Sequence, residues 1–210
     1  LLIGLGASLI GPLTKRAKIT ETKEIINAAV ESVVGFAAKN NKLPRKDDTI
    51  NEFPQAVRNP NDAWSKPLIY FVDNNLAPLD SPSNPAEGIC GRKTTNLIVC
   101  TDADCISQIK KDVAFIVVSG GPNYNVQTGS LTTSPCPSGK TCYKVYPQDY
   151  PNVDDYPPDL PEGSRPEEYD DIVKWITLDE LRIKAGCQGA QLKILNNELP
   201  YGYVGSSYNA

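Results

Sequence analysis

The first forty residues divide into an apolar half and an amphipathic half. The first dozen residues carry no charge, and Ser8 provides their only polar side chain. Charges become frequent from Lys15 onward, and apolar residues then recur mostly at spacings of three and four, which places them on one face of a helix. The residues of this face are Ile19, Ile26, Val30, Val33, Val34 and Ala37. The pattern predicts one continuous helix, apolar over 1–14 and amphipathic over 15–38, whose second half packs on a globular head.

Short apolar and β-branched segments in the head, residues 39–198, predict a sheet. The clearest segments cover residues 67–72, 94–100, 114–118 and 172–177, and two more lie near 142–146 and at 191–195. Because the segment 114–118 is the most apolar, we expect it to be the central strand.

The segments around these strands predict two helices and a long loop. Thr177-Leu-Asp-Glu180 is a capping-box pattern, which predicts a helix through Lys184 with Gly186 as its stop. Asp102 is suited to cap a short helix that ends at about Lys111. Residues 120–168 are rich in glycine, proline, serine and aspartate, which predicts an extended, solvated surface excursion.

The apolar half of the N-terminal helix is too short to cross a bilayer, which takes roughly 20 residues. It also lacks the basic flank and the cleavage site of a complete signal peptide. Two interpretations stay open: a buried core helix, or an anchor that is truncated or processed in this chain. The start at Leu1 and the absence of methionine favour the second.

Seven residues lie between Gly4 and Pro12 in the apolar half, and a basic turn at 15–18 leads into the amphipathic half. This order resembles the N-terminal helix of type IV pilins and of type II secretion pseudopilins, in which a glycine and a helix-interior proline have the same separation. The resemblance implies that about ten residues precede Leu1, including a methylated phenylalanine and a glutamate.

The sequence Asp-Ala-Trp-Ser-Lys-Pro-Leu-Ile-Tyr at 62–70 is similar to the Asp-Pro-Trp-Gly-Asn-Pro-Leu-x-Tyr signature of the major pseudopilin. Ala63, Ser65 and Lys66 replace the proline, glycine and asparagine of that signature. Lys42-Leu43-Pro44 also follows the helix much as a Gly-x-(Leu/Tyr)-Pro element does in pseudopilins.

Two later segments resemble the same family more weakly. Residues 113–121 are similar to its strand that enters a Ser-x-Gly turn, and residues 169–172 are similar to its late acidic element. The resemblance therefore covers residues 1–72 well, and residues 113–125 and 169–176 weakly.

The resemblance implies an α+β, pilin-like fold in which a long N-terminal helix packs on an antiparallel sheet with long, disulfide-stapled loops. It implies a filament subunit that binds copies of itself and other pilin-like subunits. Such a subunit is held in the inner membrane before it is incorporated into a periplasmic pseudopilus or a cell-surface pilus. The residues expected to serve in polymerisation are Gly4, Gly6, Ile10, Pro12 and Leu13.

Six cysteines and no histidine argue against zinc fingers, c-type haem attachment and Cys–His catalysis, since no C-x-x-C pair is present either. Disulfides are the default for an even set in an exported protein, and a cytosolic protein with reduced cysteines is the alternative. The short loop favours Cys136–Cys142. Cys90–Cys100 and Cys105–Cys187 are the pairing that we expect for the others.

A calcium site at Asp170 and Asp171 is implied by the resemblance, because the major pseudopilin holds calcium in this region. Carbonyl groups of the turn 119–125 would complete it, since calcium takes six to eight oxygens. The alternative, which the residues themselves favour, is a solvated acidic turn before a strand.

Composition argues against two other classes of function. The net charge of −4 and a pI near 5.0 give no general attraction to nucleic acid or to anionic lipid. The acidic pairs at 167–168 and 170–171 could suggest a glycosidase, but such pairs in a proline-rich loop are usually solvated. The chain also has no G-x-S-x-G motif, and we expect it not to be an enzyme.

The C-terminal segment 199–210 resembles the first line of bacterial Ig-like repeats, through Leu-Pro-x-Gly-x-Val-Gly-x-x-Tyr at 199–208. This match leaves a second function open. The protein would then be a membrane-tethered periplasmic or surface module for adhesion or binding.

Overall fold

A long helix and a six-stranded sheet form the part of the protein that the structure describes. The structure is a computed structural model, and it describes residues 3–84, 87–102, 105–106, 109–154 and 165–187, with only the backbone for residues 3–10. The predicted strand at 191–195 and the C-terminal segment 199–210 lie outside these residues. The fold is mixed α+β, as the sequence predicts.

Helix α1 spans Ile3–Asn40 as one continuous helix of 38 residues with Pro12 inside it. Two short α-helices follow it in the described part of the chain: α2 at Phe53–Ala56 and α3 at Leu178–Lys184. The predicted capping box forms at α3, where the Thr177 side chain accepts a hydrogen bond from the Glu180 N–H at 3.3 Å.

The sheet contains six strands, and β3 is its centre. The strands are β1 at Ile69–Val72, β2 at Leu97–Cys100, β3 at Ile109–Ser119, β4 at Ser130–Leu131, β5 at Thr141–Lys144 and β6 at Ile172–Thr177. Strand β3 pairs antiparallel with β1, β2 and β6, and β4 pairs antiparallel with β5. This arrangement agrees with the expectation that the most apolar segment is central.

The prediction of a wholly antiparallel sheet is wrong at β5, which runs parallel to β2. Backbone hydrogen bonds extend this parallel pair at both ends, from Thr141 N to Asn96 O and from Val145 N to Cys100 O. Local alternation of side chains reveals a strand but not its direction. A long connection separates β2 from β5, and such connections allow the parallel arrangement.

Residues 113–118 of β3 are buried on both faces of the sheet, which explains why this part of the strand is an unbroken apolar run. Phe115 and Val117 face the main core under α1, whereas Ile116 and Val118 face a second cluster that includes Tyr143. In the main core Tyr70 stacks on Phe53 at 4.6 Å between ring centroids.

The predicted helix from Asp102 to Lys111 is wrong, because residues 109–111 belong to β3. Asp102 instead supports a turn, in which its carboxylate accepts a hydrogen bond from the Ile106 N–H at 3.2 Å. The disulfide between Cys100 and Cys105 closes this turn, and the pairing of β3 with β2 then requires an extended chain.

All six cysteines form disulfides, and the expected pairing is right for Cys136–Cys142 and wrong for the other four cysteines. The observed bridges are Cys90–Cys187 and Cys100–Cys105. Cys100 ends β2 and so meets a cysteine of the turn that follows it. Cys187 follows α3, which packs on the main core beside Cys90.

Candidate assembly helix and the clamps that hold the head

The first half of α1 projects from the head. All side chains from residue 11 to residue 17 are exposed, and that of Leu13 is 63 % exposed. Of the predicted polymerisation residues, Pro12 and Leu13 are thus uncovered in the helix. Gly4, Gly6 and Ile10 lie in the part of the helix for which only the backbone is described. Within the described part of the chain, no helix is both long enough and apolar enough to cross a membrane.

The second half of α1 is packed against β3 and β6 through the predicted apolar face. Ile26, Val30, Val33, Val34 and Ala37 are buried, and the half-buried Ile19 packs against the same core. Sequence reasoning missed two further residues of this face, Thr22 and Ala29, which are both buried. Their helical spacing from Ile26, four before and three after, is the signal that could have found them.

A turn at residues 62–66 fastens α1 to the sheet, and we call it the Asp62 turn. The buried Asp62 carboxylate accepts hydrogen bonds from Trp64 N and Lys66 N, both at 2.9 Å, and from the Ser119 hydroxyl at 2.7 Å. The Ala63 N–H donates to the Thr22 hydroxyl of α1 at 3.2 Å. One turn therefore connects the helix to the end of β3.

Ser65 adopts a left-handed backbone conformation in this turn, with φ of 64°. A residue with a Cβ is strained there, whereas glycine is not. We expect Ser65→Gly to raise the free energy of unfolding by about 0.5–1 kcal/mol. Urea denaturation followed by tryptophan fluorescence would measure this change.

Ser65→Ala is the matched control, because it removes the hydroxyl and keeps the Cβ. It should leave the free energy of unfolding nearly unchanged. An equal gain in both variants would mean that the hydroxyl, and not the backbone conformation, limits the stability of this turn.

Two aromatic rings and two lysines extend along the surface beside the Asp62 turn. Lys18 of α1 lies 5.9 Å from the Trp64 ring, Trp64 packs edge-on against Tyr124, and Lys66 lies 5.1 Å from the Tyr124 ring. Cation–π contacts of this kind are worth about 0.5–1 kcal/mol at exposed positions. They add a second link between α1 and the head.

A second fastening, which we call the acidic clamp, joins the start of β6 to residues 127–128. The carboxylate oxygen Oδ2 of Asp171 accepts hydrogen bonds from Gln127 N at 2.9 Å, Thr128 N at 2.6 Å and the Thr128 hydroxyl at 2.7 Å. The Thr128 hydroxyl in turn lies 2.7 Å from the Tyr169 hydroxyl. Asp170 contributes through its own Oδ2, which accepts a hydrogen bond from Asn123 N at 3.2 Å.

The acidic clamp corrects two expectations from the sequence. Asp171 is only 2 % exposed, so the interpretation of a solvated acidic turn is wrong for it. Residues 125–128 are buried too, which contradicts a solvated excursion at the start of 120–168. Hydrogen bonds to Asp171 and Tyr169 hold this segment against the clamp, and Val126 is its only apolar side chain in the core, so composition did not reveal its burial.

Gly121 allows two segments of the acidic clamp, around residues 121 and 170, to approach each other closely. It has a positive φ of 61°, and a Cβ at this position would collide with the backbone carbonyl of Asp170. Glycine meets both requirements at once.

Burial shifts the titration of both acids in the clamp. It raises the pKa of Asp171 to about 7, against the opposing effect of the hydrogen bonds from Thr128 and Gln127. It raises the pKa of Asp170 to about 6, against the hydrogen bond from Asn123 and the positive charge of Lys15. Burial also raises the pKa of the Tyr169 hydroxyl, and the nearby Asp171 acts in the same direction.

The acidic clamp has some of the oxygen atoms that a calcium site requires. The Oδ1 atoms of Asp170, Asp171 and Asn125 are buried and accept no hydrogen bond. However, Oδ2 of Asp171 is occupied by three donors, and no third carboxylate of the described chain lies within ligand distance of the pair. Calcium at this pair therefore stays a prediction.

A cavity of about 590 Å³ separates α1 from the acidic clamp. Lys15 and Lys23 of α1 line it on one side, and Tyr146, Asp170 and Lys174 line it on the other. The helix is thus tightly packed where it meets the sheet and more loosely packed where it leaves the head.

Comparisons with known proteins found no match to this chain. No family model, no curated protein and no solved structure matches it.

Proposed function

We propose that this protein is a structural subunit of a filament, of the type IV pilus or type II secretion pseudopilus kind, and that it polymerises through its N-terminal helix. It would bind copies of itself and other pilin-like subunits, and it would be held in the inner membrane before assembly. The observation that carries this proposal is the division of α1 into an exposed half and a packed half.

The exposed half has the chemistry of a surface that other subunits cover. Its sequence is apolar over residues 1–14, and Leu13 is largely exposed where the helix leaves the head. Burying a leucine side chain is worth about 1.5–3 kcal/mol, so an apolar helix that protrudes gains stability when similar helices pack around it.

The packed half of α1 suits a subunit whose head moves together with its helix. The apolar face of α1, the Asp62 turn and the Lys18–Trp64 contact all hold the helix to the head. A subunit moved by its helix would therefore carry its head with it.

Two details support the resemblance on which the proposal also rests. Ser65 has the left-handed conformation that favours glycine, and glycine stands at this place in the resembling signature. The two weakly resembling segments also lie against each other, since Gly121 contacts the Asp170 backbone.

Electron microscopy tests the proposal. The full-length gene product, expressed with its assembly machinery, should form thin filaments. We expect Gly4→Leu together with Pro12→Leu to abolish them, because both changes remove the features that let the apolar half pack and locally unwind.

Gly35→Leu is the matched control, since Gly35 is exposed in the packed half of the same helix and has no neighbour within 4 Å of an added Cβ. It should keep the filaments. Membrane-bound monomers under every condition would exclude a filament subunit and favour the second candidate, a membrane-tethered module for adhesion or binding.

A further inference from the structure

A second cavity, of about 440 Å³, lies beside the Asp62 turn, and we call it the Tyr124 cavity. Its apolar lining comes from Pro67, Ile69 and Val126. The Tyr124 side chain forms another part of the lining and is 49 % exposed. The volume falls within the range of about 300–1,000 Å³ that is typical of small-molecule sites.

The charged groups of this cavity are both positive. Lys66 and Arg165 line it, and no acidic residue of the described chain does. Lys66 stacks on Tyr124 and forms no ion pair with a described residue. Arg165 pairs with the Glu167 carboxylate through Nε at 3.9 Å, and its Nε and Nη2 atoms are buried and have no hydrogen-bond partner. Lys66 therefore has no competing anion among the described residues, and Arg165 has donor atoms that no described acceptor fills.

The uncharged polar side chains of the lining, those of Asn123 and Tyr124, can both donate. The Asn123 side-chain oxygen accepts a hydrogen bond from Asn125 N at 2.8 Å, so its NH₂ group is not engaged by that bond. An ammonium, a guanidinium and an amide together match a ligand with acceptor oxygens. A guanidinium binds a carboxylate through two parallel hydrogen bonds, and an ammonium adds a point charge.

Two features narrow the ligand to a small monoanion with a ring. The protein is acidic overall, with a net charge of −4, so it does not attract long polyanions. The half-exposed Tyr124 ring and the apolar residues give the non-polar face of a sugar a surface to cover. We propose that the Tyr124 cavity binds an acidic sugar residue of the uronate class, with its carboxylate on Lys66 and Arg165.

This site does not depend on polymerisation, because every residue that forms it belongs to the head. In a filament subunit it would give the polymer an affinity for single acidic sugar residues. In a tethered module it would be the binding site itself. Failure of the filament experiment therefore leaves this proposal standing, and failure of this proposal leaves the filament proposal standing.

Nuclear magnetic resonance on the ¹⁵N-labelled chain, titrated with glucuronate, tests the proposal. We expect saturable shifts at the amides of Gly120, Asn123 and Tyr124, and no such shifts with glucose. Lys66→Gln and Arg165→Lys should each weaken binding at least about tenfold, since each change removes a hydrogen bond between charged groups. Lys174→Gln, which removes an exposed lysine from the other cavity, should leave binding unchanged.

Three outcomes would overturn the proposal. The first is an absence of shifts at these amides while the spectrum shows a folded protein. The second is equal binding of glucose, which would mean that the carboxylate is not recognised. The third is equal binding of N-acetylglutamate, which would identify an acidic peptide and not a sugar as the ligand class.

Discussion

Replacing both Cys90 and Cys187 by serine is expected to lower the free energy of unfolding by about 4 kcal/mol. This disulfide joins residues 97 positions apart, and its loss frees a long loop in the unfolded chain. The bridge also ties the end of α3 to the main core, where Cys187 is buried. Since small domains are stable by about 5–15 kcal/mol, the variant should be marginally folded at physiological temperature.

The double variant of Cys100 and Cys105 is the matched control. It removes the same number of sulfur atoms, but its bridge spans only 5 positions. Loop entropy then predicts a loss of about 2 kcal/mol. Both cysteines of the short bridge are buried. Packing alone would therefore predict a larger loss of stability for the Cys100–Cys105 variant than for the Cys90–Cys187 variant.

Urea unfolding under oxidising conditions, followed by circular dichroism, would measure both losses. Equal losses would show that lost packing, and not the length of the closed loop, determines the contribution of each bridge.

The stability of the protein should fall as the pH rises from about 4 to about 7, because of Asp171. The pKa of this carboxyl is about 7 in the folded protein and 3.8 as its ordinary value. Between these values the folded protein holds a proton that the unfolded chain has lost, so stability decreases as the pH rises. One such group changes the free energy of unfolding by up to about 1.4 kcal/mol per pH unit.

Asp170 acts in the same direction, since its pKa is raised to about 6. Asp47 acts in the opposite direction, because hydrogen bonds from Thr49 lower its pKa, but its effect belongs to more acidic solutions. We therefore expect Asp171→Asn to flatten most of the pH dependence above pH 5 and to be more stable than the parent protein near pH 8. Asparagine keeps an oxygen for the donors of residues 127–128 and carries no charge to bury.

Thermal unfolding at a series of pH values would measure this effect, with Glu168→Gln as an exposed control. A parent protein whose stability rises from pH 5 to pH 8 would contradict the burial argument. The same series with millimolar Ca²⁺ tests the calcium prediction. A bound ion would stabilise the parent protein at pH 8, where the acids are ionised, and would leave Asp171→Asn unaffected.

Elements that local pattern specifies were predicted well. The helix α1, its packed face, the central strand β3, and α3 with its capping box follow from spacings of a few residues, and each occurs where the sequence predicts it. Local propensity and side-chain periodicity decide such elements almost alone. The helix from Asp102 failed because a disulfide and strand pairing overrode a weak local signal.

The candidate sites depended on groups that lie far apart in the sequence. The Asp62 carboxylate meets Ser119, and Asp171 meets Thr128, across separations of 57 and 43 residues. The cations of the Tyr124 cavity, Lys66 and Arg165, come from segments that no motif connects. A single sequence carries no signal for such contacts, because many chain paths satisfy the same local pattern.

By itself the sequence determined a long two-part helix, an apolar central strand and a net charge of −4, and its six cysteines predicted disulfides. The tertiary structure alone decided which cysteines pair, that β5 runs parallel to β2, and that Asp171 is buried. The physical reason is that hydrogen bonds and disulfides between distant segments depend on which segments the tertiary fold brings next to each other. A carboxylate in a polar loop is solvated or buried according to the N–H groups that the fold brings to it.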